Sequence, residues 1–157
     1  MKNIYYYSFN IGRVGIVDQD GFIVELLFVN SKRSDDYKEV ETKLIKNAYS
    51  QLDEYFKGTR KTFDLPLNPN GTIFQKKVWN ALLEVNYGEL KSYKDVAVSI
   101  GNQKACRAVG LANNKNPIPI IIPCHRIIGS NGKLVGYALG LDMKQSLIDL
   151  EKSNVRS

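Results

Sequence analysis

Residues 92–112 read SYKDVAVSIGNQKACRAVGLA. Ser92 offers a side-chain oxygen to cap a helix, and Asp95 three residues on completes a capping-box pattern. Val96 and Ala97 supply an apolar face, and Gly101 stops the helix. Asn102 is placed to cap a second helix at once, over Gln103 to about Ala112. Two short helices joined by a glycine-containing turn predict a helix-turn-helix, whose second helix carries Lys104 and Arg107 among the small residues Ala105, Cys106 and Ala108. Most such pairs are packing units, so the pattern by itself leaves DNA binding open.

Upstream, Phe74 to Val85 predicts a helix with Phe74, Val78, Ala81, Leu82 and Val85 on one face. Before it, residues 65–71 hold two prolines and Gly71, which discourage helix and central strand alike and read as a linker. The expected division is therefore residues 1–69 and 70–157. The first part opens with β-rich runs at Ile4–Phe9 and Val14–Val17. A turn signal over Asp18–Gly21 and a returning strand over Phe22–Val29 follow. From Asp35 to Phe56 the period becomes helical, through Val40, Leu44, Ala48, Leu52 and Tyr55, and Gly58 ends it. Lys61–Leu65 is the candidate for a last strand. The expected fold class is α/β (α+β), with a small N-terminal sheet-plus-helix part and a mostly helical C-terminal part.

Charge separates the same halves. Residues 1–69 carry ten Lys/Arg against ten Asp/Glu, and residues 70–157 carry twelve against six, the whole of the +6 net charge. A basic half joined to a neutral one suits a polyanion partner, or a solvated surface that keeps the chain soluble. No apolar run approaches the roughly 20 residues that span a bilayer. The start, MKNIYYYSFN, lacks the apolar core of a secretory signal, so a cytoplasmic protein is expected. Cys106, Cys124 and the single histidine, His125, cannot complete a four-ligand zinc site or a disulfide framework. No metal or cofactor is expected.

Downstream of the helix pair, three prolines in residues 117–123 forbid regular helix and favour a stiff extended run ending at Cys124. A thiolate is the reactive form of cysteine, and an imidazole can take its proton. Neighbouring side chains on an extended strand point apart, so contact between Cys124 and His125 needs a tight bend or an intervening water. A last amphipathic helix, about Met143 to Lys152, turns Met143, Leu147 and Leu150 inward and puts Glu151 beside them. A carboxylate there needs a partner, and His125 is available. A Glu–His–water–Cys relay follows the logic of nucleophile, base and orienter. The bland alternative is a small buried thiol beside a hydrogen-bonded histidine, with Glu151 reaching into water.

The stretch Asn116-Pro-Ile-Pro-Ile-Ile-Ile-Pro-Cys-His-Arg126 closely resembles the active-site signature of the O6-alkylguanine-DNA alkyltransferase family. The likeness runs from Gly71 to Glu151, through Gly71–Gln75 with Trp79, Gly88–Tyr93, Arg107–Gly110 and Gly136-Tyr137. The N-terminal half shares only length and element order, and there the resemblance implies a ribonuclease H-like domain. It implies DNA repair by direct reversal: an alkyl group passes irreversibly, once per molecule, from O6 of guanine (and O4 of thymine) in duplex DNA to Cys124. By the same resemblance His125 is the base through a water, Glu151 orients it, Asn116 braces the site and Tyr93 donates to N3 of the guanine. Arg107 fills the space left by the flipped nucleotide. Lys94, Asn102 and Ser130 match phosphate contacts, Ala105 allows close approach to the minor groove, and Pro119, Tyr137, Ala138 and Leu139 form the substrate pocket.

Two departures from the family pattern stand out. Leu139 occupies a segment that is smaller in many relatives, so methyl adducts are expected to outpace benzyl ones; equal inactivation by free O6-benzylguanine and by a methylated oligonucleotide would count against this. The zinc ligands of some relatives' N-terminal domains are missing, so full activity after chelation is expected. One site per chain and no obvious spare apolar surface favour a monomer. Two rival readings are a cysteine hydrolase built on Cys124, His125 and Asn116, and a non-catalytic DNA-binding regulator or lesion sensor, which the presence of Cys124 argues against.

Overall fold

The computed structural model describes residues 1–28, 36–134, 136–137 and 139–155. Val29, Asp35 and Ala138, which the sequence reading includes, lie outside them. The chain divides into two compact units, Met1–Asn70 and Gly71–Ser157.

The first unit is a four-stranded sheet ordered β3-β2-β1-β4, from β1 (Lys2–Phe9), β2 (Gly12–Gln19), β3 (Phe22–Phe28) and β4 (Tyr37–Glu39). β1 and β2 pair antiparallel, as do β2 and β3, while β4 lies parallel to β1. The hairpin between β2 and β3 turns at Asp20 (φ 54°) and Gly21 (φ 83°), the left-handed pair of a two-residue turn, so β2 continues through Asp18 instead of ending there. Val14, Ile16 and Val17 of this central strand are all at most 2 % exposed. Val17 joins Ile4 and Val24 in one cluster.

Helix α1 (Lys43–Phe56) buries Ile45, Ala48, Leu52 and Tyr55, a spacing of three and four that lays one stripe on the sheet. It starts later than the periodicity suggests. Thr42 caps it by accepting from the Ile45 amide, and its hydroxyl donates to the buried Asp18 carboxylate. Residues 37–39 pair with β1 instead of extending the helix, so Val40 lies before it and Leu44 is only half-buried. Lys61–Leu65 forms no strand, because Gln51 of α1 bonds Asp64 through both its amide atoms and holds the segment against the helix. The expected linker is itself tied down: Ile23 donates to Pro66 and accepts from Asn68.

The second unit has α2 (Ile73–Leu83), β5 (Lys91–Ser92), α3 (Tyr93–Ser99), α4 (Cys106–Asn114), β6 (Ile127–Ile128) and α5 (Leu141–Asn154). Thr72 and Gln75 close a capping box on α2. Gly71 lies so close to Trp79 that a Cβ would come 2.4 Å from its ring. Ser92 and Asp95 close the box expected on α3. The pair α3–α4 has helix-turn-helix order, but α4 begins at Cys106, capped by no side chain. Asn102 turns the chain instead, its carbonyl accepting from Ala105, so Asn102, Lys104 and Ala105 precede the helix. Among the described residues no helix is long and apolar enough to cross a membrane.

The proline-rich stretch is not extended. Ile122 donates back to Ile118 at 2.9 Å, Pro119 bridges Ile122, and Ile120 sits at φ 75°, a costly conformation for a β-branched residue. Asn116 secures the loop by donating to the Ile122 carbonyl at 2.8 Å and accepting from the Ile118 amide at 2.9 Å. The prolines exclude helix and strand, and the side-chain amide supplies the hydrogen bonds they cannot.

Candidate active site

Cys124, His125 and Arg126 form one turn of 3-10 helix directly after that loop. Ile118, Ile120, Ile121 and Ile122 pack around it, and Cys124 and His125 are 3 % and 0 % exposed. The tight turn replaces the alternation of an extended strand: successive side chains leave it about 120° apart instead of on opposite faces. Parallel pairing of β6 with β5 brings Tyr93, at the start of α3, alongside the turn.

α5 supplies the carboxylate. Glu151 is 1 % exposed, and its Oε2 lies 2.5 Å from His125 Nε2. Arg126 holds the same carboxylate with two bonds, Nε to Oε1 at 2.8 Å and Nη2 to Oε2 at 3.1 Å, and its Nη1 donates to the Val85 carbonyl. The Gly88 amide donates to Oε1 at 3.1 Å. Burial alone raises the Glu151 pKa, but the hydrogen bonds from His125 and Arg126 and the Arg126 charge outweigh it and hold the carboxyl at about 2. Burial pushes His125 down and outweighs the bond and charge of Glu151, which push it up; the Arg126 and Lys144 charges add to the fall, so the ring is neutral. Since Glu151 is ionised, Nε2 carries the ring proton, and Nδ1 keeps the lone pair that a base needs.

These shifts set a pH dependence. His125 is neutral folded but takes a proton below about pH 6.5 when unfolded, so stability falls as pH drops through that value. Glu151, depressed when folded, adds a further loss between about 4.5 and about 2. The thermal midpoint should fall from pH 7 to pH 5, and His125→Gln should flatten that slope. An unchanged slope in the variant would place the acid sensitivity elsewhere.

Burial pushes the Cys124 thiol up, opposed by hydrogen bonding from Asn116 and Tyr137 and by the charge of Lys144. Lys144, on α5, is 0 % exposed; its Nζ donates to the Gly136 carbonyl at 3.5 Å and stands 5.8 and 5.9 Å from the Tyr93 and Tyr137 ring centres. Burial lowers its own pKa, and Cys124 raises it. Burial and then the Cys124 charge raise Tyr93, which keeps its proton. The thiol therefore rests protonated, with a fixed cation ready for the thiolate and a phenol donor across from it.

A cleft of about 340 Å³ opens on this side, lined by Tyr93, Lys94, Cys106, Arg107, Gly110, Asn114, Ser130 and Gly136. Arg107, Lys94 and Ser130 are exposed. Asn102 and Ala105 do not line the cleft. Pro119 is buried in the loop, Tyr137 faces Cys124, and Leu139 is half-buried. Among the described residues no group of His, Cys, Asp or Glu is arranged to hold a metal ion.

The sequence reading missed Lys144 and Arg126. It turned Met143, Leu147 and Leu150 inward, whereas α5 buries Lys144, Leu147, Ile148 and Glu151, a stripe rotated by about one residue. Once Glu151 is taken as inward, Lys144 seven residues earlier falls on the same face, and that spacing was the available signal. Arg126 was visible beside His125, but no role was read for it.

A buried thiol in one turn with an imidazole held by a carboxylate, in the same unit as two helices in helix-turn-helix order, defines the class: a helix-turn-helix protein with a thiol–imidazole–carboxylate site. Residues 4–69 match the 6-O-methylguanine DNA methyltransferase, ribonuclease-like domain, and residues 73–153 match the DNA binding domain of the same name. The chain belongs to this family. A methylated-DNA–protein-cysteine methyltransferase of Methanosarcina acetivorans is 49 % identical over 154 residues, covering 94 % of this chain and 99 % of the relative. The constitutive one of Bacillus subtilis is 44 % identical over 150 residues, 90 % of each. The crystal structure of Mycobacterium tuberculosis OGT in complex with DNA superposes with a TM-score of 0.91 at 39 % identity, covering 97 % of this chain and 94 % of that one.

Proposed function

We propose that this protein repairs DNA by moving an alkyl group from O6 of guanine, and from O4 of thymine, to Cys124, once per molecule. The observation that carries the reading is the buried Cys124 thiol in one turn with His125, whose ring is held by an ionised Glu151. The bond between Sγ and the alkyl carbon forms as the bond from that carbon to O6 breaks. The thiol proton passes to His125 Nδ1 through a water, and the departing guanine takes a proton at N3 from Tyr93. Lys144 stabilises the thiolate before attack, and Asn116 fixes the loop that presents it. The thioether product has no good leaving group, so the reaction stops at one equivalent.

The target base must leave the stack to meet a thiol this deeply buried, at a cost of a few kcal/mol. Arg107 on the exposed side of α4 occupies the gap, while Lys94, Asn102 and Ser130 hold phosphates and Ala105 permits close approach. Residues 70–157 bind DNA and hold the acceptor, residues 1–69 support them, and the protein acts as a monomer in the reducing cytoplasm, where Cys124 stays a thiol. Tyr137, Pro119, Ala138 and Leu139 bound the alkyl pocket.

The test is intact-protein mass after mixing with duplex DNA containing O6-methylguanine. One methyl per chain, mapped to Cys124 and stopping at one equivalent, is the expected result. No mass gain with salt-sensitive DNA binding retained would leave a lesion sensor; repeated turnover of an ester or amide would favour a hydrolase.

A further inference from the structure

Asn113 lies on the inward side of α4 with 1 % of its surface exposed, and its Nδ2 donates to the Cys124 carbonyl oxygen at 3.3 Å. That oxygen already accepts the Ile127 amide that closes the 3-10 turn. The amide cannot be turned over, because its Oδ1 would then face a carbonyl. In the orientation it holds, Oδ1 is buried and meets no donor among the described residues. An acceptor left so costs stability, and a leucine, branched at the same carbon but apolar, would avoid the loss. A feature that packing alone disfavours points to function.

The same nine-residue helix exposes Arg107 on its outer side. Its other inward bond, Trp79 Nε1 to the Ala112 carbonyl at 2.9 Å, fastens it to α2 and does not reach the cysteine. Of the hydrogen bonds described, only that of Asn113 joins α4 to the Cys124 backbone. We propose that Asn113 is a positioning residue for alkyl transfer, tying the register of the helix that delivers the base to the backbone of the nucleophile; this rests on the alkyl-transfer reading above. When α4 takes the load of DNA insertion, the bond keeps the Arg107 side and Cys124 moving as one body, so the extruded carbon arrives in line with Sγ. Displacements of about 1 Å at a reacting centre cost on the order of a hundredfold in rate. A free base is not delivered by α4 and does not depend on the tie.

The experiment compares single-turnover alkylation of Cys124 by O6-methylguanine in duplex DNA and by the free O6-methylguanine base, in the wild type, Asn113→Leu and Asn113→Ala. The expected result is a fall of at least tenfold in the duplex-to-free-base rate ratio in both variants, with the thermal midpoint of Asn113→Leu unchanged or raised. An unchanged ratio, or both rates falling together with the midpoint, overturns the proposal and makes Asn113 a packing residue. Wild-type protein that takes up methyl from duplex keeps the alkyl-transfer reading whatever the variants do. Wild-type protein that takes up none removes both.

Discussion

Cys124→Ala should take up no alkyl group from O6-methylguanine DNA while keeping its affinity for the duplex. The side chain is 3 % exposed in a turn whose backbone bonds do not involve sulfur. Removing one small buried atom costs about 1 kcal/mol, well within the stability of an ordinary domain. The exposed residues proposed to meet DNA, Arg107, Lys94 and Ser130, do not depend on the thiol for their place. Cys106 is the other thiol on the cleft, half-buried, with its Sγ 3.7 Å from the Gln103 carbonyl. It has no imidazole beside it, since the only histidine is next to Cys124. Mass mapping decides the matter: methyl found on Cys106 in the variant would sink the assignment of Cys124 as sole acceptor, and lost DNA binding would make the thiol structural.

Arg126→Met should cost roughly 3–5 kcal/mol of stability, the usual loss when one partner of a buried ion pair is removed. Glu151 would keep its charge in a buried site, held by His125 and the Gly88 amide without the two bonds from Arg126. The carboxylate would then draw a proton onto the ring, because the Arg126 charge that helps keep His125 neutral is gone. A protonated imidazole cannot accept from the thiol, so the pH–rate profile for transfer should move to the alkaline side. Urea unfolding measures the first effect and single-turnover rates from pH 6 to 9 the second. Stability within about 1 kcal/mol of wild type would show that the pair contributes little net energy, as some replaced buried pairs do. An unmoved profile would remove Arg126 from the control of the base.

Both expectations depend on a site that was partly legible beforehand. Cys124, His125 and Glu151 were assembled from one dipeptide and one inward-facing helix position. The capping box of Ser92 and Asp95 and the hairpin at Asp20-Gly21 were also legible, because each is set by atoms within three or four residues of one another. Short-range hydrogen-bond patterns survive in a sequence as spacing. The loop before Cys124 was misread for a related reason. Proline says what the backbone cannot do, and the bonds that fold residues 118–122 into a turn come from the Asn116 side chain. Asn102 failed as a cap because the chain makes a further turn before α4 begins.

The sequence by itself pointed to the two-part organisation of elements, the helix-turn-helix order, the basic half and the proposed set of Cys124, His125 and Glu151. Each depends on composition, on periodicity or on residues close along the chain. Tertiary structure alone decided that Lys144 is buried near the Tyr93 and Tyr137 rings and that Arg126 shares Glu151 with His125. It alone set Asn113 of α4 against the Cys124 carbonyl. Charged and amide side chains are taken as solvated until the fold encloses them. Whether a lysine on α5 lies in water or in the interior depends on a rotation of about one residue, which only the packed neighbours of that helix settle.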